Sequence, residues 1–431
     1  MKTKKATGSI FSAFCLVMIA VTYSGCVRES AKGSSPDPVI ATASESDPLV
    51  RSARAMIDKM PDSPAGYTKL AAVYIRKARE TGDFGLNRSA EASVARALEI
   101  SAGDAGARKL QASLHLTFHR FAEALEAGKN LQRDFPNDSF VYGVLTDANA
   151  ELGNYEEAVD NAQKMVDLRP GTSSYARVAH LRSLHGDNPG AVEMFRLSAR
   201  TADPTDKEAQ SWCLVQLGDE HWKNGKFQDA ENTYDEALQI FPNYHLALAG
   251  KGRALAARGD LNAAAALLSD ANDRVPNVEA TILLGDVYAK LGNAERAQRQ
   301  YDLVQVIEQK LGVSNDQKRL AILWADRDTN LDEALSIARR EHDNRKDILA
   351  ADALAWTLYK KGLIPDAKVA AAEALRLDSN DAKILYHAGM IEKSLGNRNQ
   401  AKRLLEKALK TNPAFDLLQA DNARNALAEL G

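Results

Sequence analysis

Apolar positions along the chain fall into three regimes. Ile10 to Thr22 form one apolar run of about a dozen residues, a length that suits the core of an export signal and falls short of the ~20 a membrane-spanning helix needs. Residues 27–48 are Ser, Pro, Ala, Gly and charges without helical period, the composition of a flexible tether. From Asp47 onward, apolar residues recur with helical spacing in blocks closed by Gly or Pro. Ala and Leu carry the apolar share, and both favour helix. No long stretch alternates apolar with polar residues of β-branched type, so no strands are expected.

The helical blocks repeat. Gly153-Asn154-Tyr155-Glu156-Glu157-Ala158 recurs as Gly225-Lys226-Phe227-Gln228-Asp229-Ala230, and in looser form around Gly259, Gly292, Gly362 and Gly396. The closing alanines Ala90, Ala124, Ala158, Ala191, Ala230, Ala264, Ala297, Ala334, Ala367 and Ala401 are mostly 33 or 34 residues apart. Steps of 39 and 37 before Ala230 and Ala334 imply short insertions. Twelve residues past five of these alanines stands a helix-stopping proline: Pro136, Pro170, Pro242, Pro276 and Pro413. Twelve residues before four of the alanines stands a glycine (Gly218, Gly252, Gly285, Gly389), which allows the two helices of a unit to approach closely opposite the alanine. The weakest units are the first, interrupted near Gly82–Gly85, and the eighth, within Val313–Asp347.

This pattern resembles the tetratricopeptide repeat over about residues 64–414. The resemblance implies an all-α, right-handed solenoid of about ten helix–turn–helix units. Amphipathic segments at 49–60 and 415–430 would cap residues 49–431 at the two ends. Lys77-Ala78-Arg79-Glu80-Thr81-Gly82-Asp83, Ser174-Tyr175-Ala176-Arg177-Val178 and Tyr386-His387-Ala388-Gly389-Met390 further resemble a widespread group of exported bacterial repeat proteins.

The leader sharpens the compartment. Lys2, Lys4 and Lys5 precede the apolar run, and Tyr23-Ser24-Gly25-Cys26 follows it. This is similar to a bacterial lipobox, with Tyr23 where the pattern prefers Leu. The resemblance implies a signal peptide at 1–25, lipid on Cys26, and a tether at 26–48. Ordinary cleavage without lipid and an uncleaved anchor are the alternatives. Val27, rather than Asp, after the cysteine points by the same resemblance to the outer membrane, facing the periplasm.

Charge and chemistry narrow the function. Lys+Arg 55 against Asp+Glu 58 gives −3, and no large basic face for nucleic acid is implied. Of three cysteines, Cys15 and Cys26 lie in and at the end of the leader; Cys213 alone falls in the body and reads as a core thiol. No nucleotide-binding loop, zinc-protease motif or nucleophile elbow is present, so no enzyme and no cofactor are expected. His115 and His119 have the i, i+4 spacing of metal ligands but lie among Leu116, Phe118 and Phe121, and a packed plus a turn histidine is the better reading, with no metal. Lys109 matches one place of the family's carboxylate clamp, but Ser113 stands where Asn is needed.

In the repeat family, first helices line the concave face, at positions 18, 15, 11, 8 and 7 before each closing alanine. Here these include Asp147, His180, Trp212, Asp219, Trp222, Lys223, Arg253, Asp286, Trp356 and Tyr359. The expected partners are other proteins or peptide segments held along this groove, as by a scaffold or assembly factor of the envelope. The tryptophans either bind or fill gaps between repeats. The rival is a glycan-binding or enzyme-accessory envelope protein using the same aromatic groove.

Overall fold

A computed structural model describes residues 47–311 and 317–431. The leader, Cys26 and the tether up to residue 46 lie outside the described residues. All twenty-two elements among the described residues are α-helices. Ten consecutive pairs run from Pro64–Thr81 with Gly85–Ile100 to Ala382–Ser394 with Arg398–Thr411, preceded by Pro48–Lys59 and followed by Gln419–Leu430. Among the described residues no helix is long and apolar enough to cross a membrane.

Local chemistry sets the helix ends. Asp104, Asp138, Asp206, Asp347 and Asp381 cap five first helices, each accepting from backbone N–H groups of the first turn. Between the two helices of a unit the chain turns through a left-handed residue. That residue is Gly153 (φ 78) in unit three and Gly225 (φ 69) in unit five. In units two and eight His119 (φ 55) and Asp328 (φ 53) take this conformation instead, and unit eight adds a second such residue, Asn330 (φ 45). The turn place of His119 agrees with its sequence reading; its ring stacks on Phe121.

The closing alanines are buried in every unit, because only a methyl group fits where two helices cross. The glycines twelve residues earlier let the two helices of a unit approach, and the side chain each admits is the one four residues past the closing alanine. A Cβ on Gly218 would lie 2.6 Å from the Tyr234 ring, and one on Gly250, in the next unit, 2.4 Å from it. Tyr234, fully buried, is therefore wedged between its own unit and the next. Gly285 makes room for Tyr301, and Gly252 and Gly389 for Leu268 and Leu405, in the same way.

The stack coils tightly enough for successive turns of the superhelix to touch. Five hydrogen bonds join residues 190–194 apart in sequence. Turns inside early units rest on loops that follow later ones: Gly153 on Lys346, Gly186 on Asp378, and Gly225 on Thr411. Along this seam Tyr155, with Leu184 beside it, packs into an apolar cluster with Ile348, Ala351, Ala374 and Ile384. Arg345 pairs with Glu151 and lies over the Phe121 ring at 4.8 Å.

Candidate functional site: an enclosed inner face

The first helices of units four to ten surround a cavity of about 500 Å³. The loop Ala414–Leu418 ahead of the last helix, with Gln419 that opens the helix, forms part of its wall. Leu417 from that loop packs against the core of units six and seven across the cavity, and Lys290 pairs with Asp421 of the last helix. The cavity's volume falls within the range of ligand pockets.

Ion pairs run along the inner face, most of them between the first helices of neighbouring units. Asp147 receives a bidentate bond from Arg177, at 2.8 Å from Nε and 2.6 Å from Nη2. Asp219 pairs with Arg253, Asp286 with Arg327 at 2.5 Å, and Glu279 with Arg319 at 2.6 Å. Lys383 reaches Asp326 at 3.3 Å and Asp416 at 3.1 Å. Of these groups, Asp219, Arg253, Glu279, Asp286, Arg319, Arg327, Asp326, Lys383 and Asp416 line the cavity.

Burial tunes these groups. It pushes the Asp147 carboxyl up to about 6, against the pull of Arg177. It pushes Asp286 up to about 7, helped by the nearby charge of Asp416 and opposed by Arg327. Burial also disfavours the Asp416 charge, but Lys383 and the backbone N–H groups of Gln419 and Leu418 outweigh it and hold the carboxyl below its usual range. His180 is driven down to about 3 by burial and by Lys223, so its ring is neutral at physiological pH.

The aromatic residues separate into two kinds. Trp212 is 5% exposed and belongs to a core cluster with Cys213, Val215 and Tyr234. Trp356 is 2% exposed. Its ring is stacked between Tyr359 at 5.0 Å and His387 at 4.1 Å, and its Nε1 donates to Asp326 at 2.8 Å. The surface of both tryptophans is taken up by the fold. Trp222 is half-buried at the cavity edge, with the Arg253 guanidinium 4.4 Å over its ring and the Lys223 ammonium next to it in sequence.

The structure thus brings His180, Trp212, Asp219, Trp222, Lys223, Arg253 and Asp286 to one cavity. Asp147 lies in a small neighbouring recess shared with His180, and Trp356 and Tyr359 in the core beyond the wall. Sequence reasoning did not name Arg327, Lys383 or Asp416. Arg327 stands seven before Ala334 and Lys383 eighteen before Ala401, both inner-face positions, but the weak eighth unit hides the first. Elsewhere, Cys213 is fully buried and burial pushes its thiol up to about 12, the state of an inert core thiol.

Architecture and site together define a helix-pair solenoid wound around an inner chamber. Two stretches, residues 215–279 and 382–415, match models of the tetratricopeptide repeat. With ten such helix pairs in register, the chain is a tetratricopeptide-repeat protein. Among solved structures it is similar to PilW, a widely conserved type IV pilus biogenesis factor, at 16% identity over 47% of this chain and 93% of that one, with a TM-score of 0.41. It is also similar to a tetratricopeptide repeat protein from Parabacteroides merdae, at 19% identity over 64% of this chain and 99% of that one, TM-score 0.35. A third is the human IFIT1 dimer with PPP-AAAA, at 12% identity over 84% of this chain and 85% of that one, TM-score 0.47. No curated protein matches.

Proposed function

We propose that the protein is a non-enzymatic scaffold or assembly factor of the cell envelope, tethered by lipid on Cys26 to the outer membrane and holding a partner protein segment against its inner face. The observation that carries this reading is the chamber of about 500 Å³, which seven successive units line with apolar side chains and with charges of both signs. Such a wall meets side chains and backbone groups together, as recognition of a polypeptide requires. Because the rings of Trp212 and Trp356 are covered, stacking of a glycan has little aromatic surface to use, which favours a protein partner. The tether and anchor rest on the leader, whose apolar run ends in Ser24-Gly25-Cys26.

The test is photo-crosslinking in cells. A crosslinker replacing Lys223, on the cavity wall, is expected to capture a discrete protein. One replacing Val369, 72% exposed, is the reference. Capture from Val369 and none from Lys223 removes the inner-face reading. Labelling with a palmitate analogue should mark wild type and not Cys26→Ala; equal labelling removes the anchor.

A further inference from the structure

One step along the inner face departs from the pattern of the step before it. Arg177 stands fourteen residues before its closing alanine, Ala191, and Asp147 stands eleven before Ala158. These two repeat positions meet between units three and four, where Arg177 binds Asp147 through two nitrogens and both side chains are buried. Between units four and five the same two positions hold His180 and Gln216. One turn further on, Ser183 Oγ donates to Glu220 at 2.8 Å, so these two first helices also lie side by side.

At this step the carboxylate and its cation are replaced together. Gln216 is 7% exposed and His180 half-buried, and both line the chamber. Among the described residues neither side chain has a hydrogen-bond partner. A buried amide without a partner is costly, so a group that meets it gains affinity. Lys223 stands seven residues after Gln216 on the same helix, ~10 Å along and within about 20° of the same facing. It lines the chamber, its charge acts on His180, and among the described residues its ammonium has no ion-pair partner. The acids of its own helix that line the chamber are engaged elsewhere, Asp219 with Arg253 and Glu220 with Ser183 and Asn224. Glu279, which also feels the Lys223 charge, pairs with Arg319.

One corner of the chamber therefore offers an amide N–H, an imidazole N–H and an ammonium, and a carboxylate accepts from all three. Leu246, Ala249, Ile282 and Leu283 add apolar wall from units six and seven. We infer that this corner, between units four and five, binds a small organic acid, whose carboxylate takes the part that Asp147 plays one unit earlier and whose apolar body lies on the wall of units six and seven. The ligand is a free small molecule, a function beyond the inner-face reading above and independent of it.

Calorimetric titration of the chain from residue 26 with Cys26→Ser tests this. The probes are octanoate, phenylpropionate, octanamide, inorganic phosphate, and a Gly/Ser peptide carrying one glutamate. At least one of the two acids should saturate a single site. Octanamide, which keeps the body and loses the charge, should bind about tenfold more weakly or worse. Lys223→Met should weaken the acid about tenfold, and Lys223→Arg should restore most of that loss. Gln216→Leu should weaken it too; if that variant melts early, Lys223→Met alone decides. Lys407→Met, on the outer surface, should change nothing; Lys223 and Lys407 are both exposed. Binding of neither acid overturns the site. Wild-type affinity in Lys223→Met, or an equal loss in Lys407→Met, overturns its location. Octanamide as tight as octanoate overturns the carboxylate, and phosphate as tight as the acids overturns the apolar body. The peptide binding as tightly as the acids, with the same dependence on Lys223, assigns the carboxylate to a partner's side chain and overturns the free ligand. Crosslinking in cells can capture a protein or fail to whichever way these titrations fall, so the two readings fail separately.

Discussion

The Tyr155 phenol oxygen accepts the backbone N–H of Ile348 at 2.9 Å, across 193 residues of sequence. The bond is buried, and the acceptor is a side chain on one turn of the superhelix while the donor opens a helix on the next. Asp347 caps that helix by accepting from Leu349 and Ala350, and it leaves the Ile348 amide to Tyr155. Tyr155 is thereby a part of the repeat, as the apolar residue after the turn, and also the acceptor that ties two turns together.

Replacing this phenol by phenyl keeps the ring and removes only the acceptor. Tyr155→Phe should cost about 1–3 kcal/mol, the penalty of a buried donor left unmet. Hydrogen exchange at the Ile348 amide should accelerate with it. Unchanged exchange there would show that the seam does not protect this amide.

A matched pair of glycines isolates the seam from local strain. Gly153 and Gly396 both have φ 78 in the same turn of their units. A Cβ on Gly153 would lie 2.2 Å from the Lys346 carbonyl oxygen, whereas nothing lies within 4 Å of one on Gly396. Each Gly→Ala change forces alanine into the left-handed region, costing about 1 kcal/mol. Gly153→Ala must also push the two turns apart, so its urea midpoint should fall clearly further than that of Gly396→Ala. Equal falls would mean that the turns do not press on each other in solution.

How much of this was legible in the sequence follows from what each feature depends on. The Ala158, Gly153 and Pro170 positions have local steric causes, so the repeat and its turns could be read directly. The contact of Gly153 with Lys346 has no local cause. It arises from small rotations accumulated over five units, which set the radius of the superhelix. The inner-face positions gave the correct helix for Trp212 and Trp222 but not their depth, since residues on one helix differ in facing by 100° per step. Arg327 was hidden because its helix, Lys318–Asp326 and the turn after it, is the shortest first helix described and its unit the least regular.

The tryptophans should divide by burial. Trp212→Ala and Trp356→Ala empty space within the core and should each cost ~3–5 kcal/mol in urea unfolding. Trp222→Ala removes a half-buried ring and its contact with Arg253, and should cost less. If a partner segment is captured by crosslinking, Trp222→Ala should weaken capture while the melt barely moves. A loss for Trp222→Ala as large as for Trp356→Ala would assign all three rings to packing.

Asp286 should give the chamber a pH dependence of defined sign. Its carboxylate accepts from Tyr301 at 2.9 Å and pairs with Arg327, with Asp416 and Lys383 also acting on it. Burial and the Asp416 charge prevail, and the group holds its proton up to about 7, against an ordinary value of 3.8. The folded state therefore binds more protons than the unfolded chain between these two values. The stability this contributes is complete below about pH 4 and is lost as pH rises through about 7. Asp147, pushed up to about 6, acts with the same sign over a narrower window. Asp416 and Glu80, both held below their ordinary values, act with the opposite sign only in more acid solution. Asp286→Asn keeps the shape and removes the titration. Its loss of the Arg327 ion pair is felt mainly where wild type is ionised, so the comparison is one of slopes. From about pH 5 to about pH 7.5, wild type should lose stability relative to Asp286→Asn, measured as the difference between their urea unfolding free energies. A difference that stays constant over that range would mean that Asp286 is already ionised at pH 5 and that Arg327 outweighs both burial and Asp416.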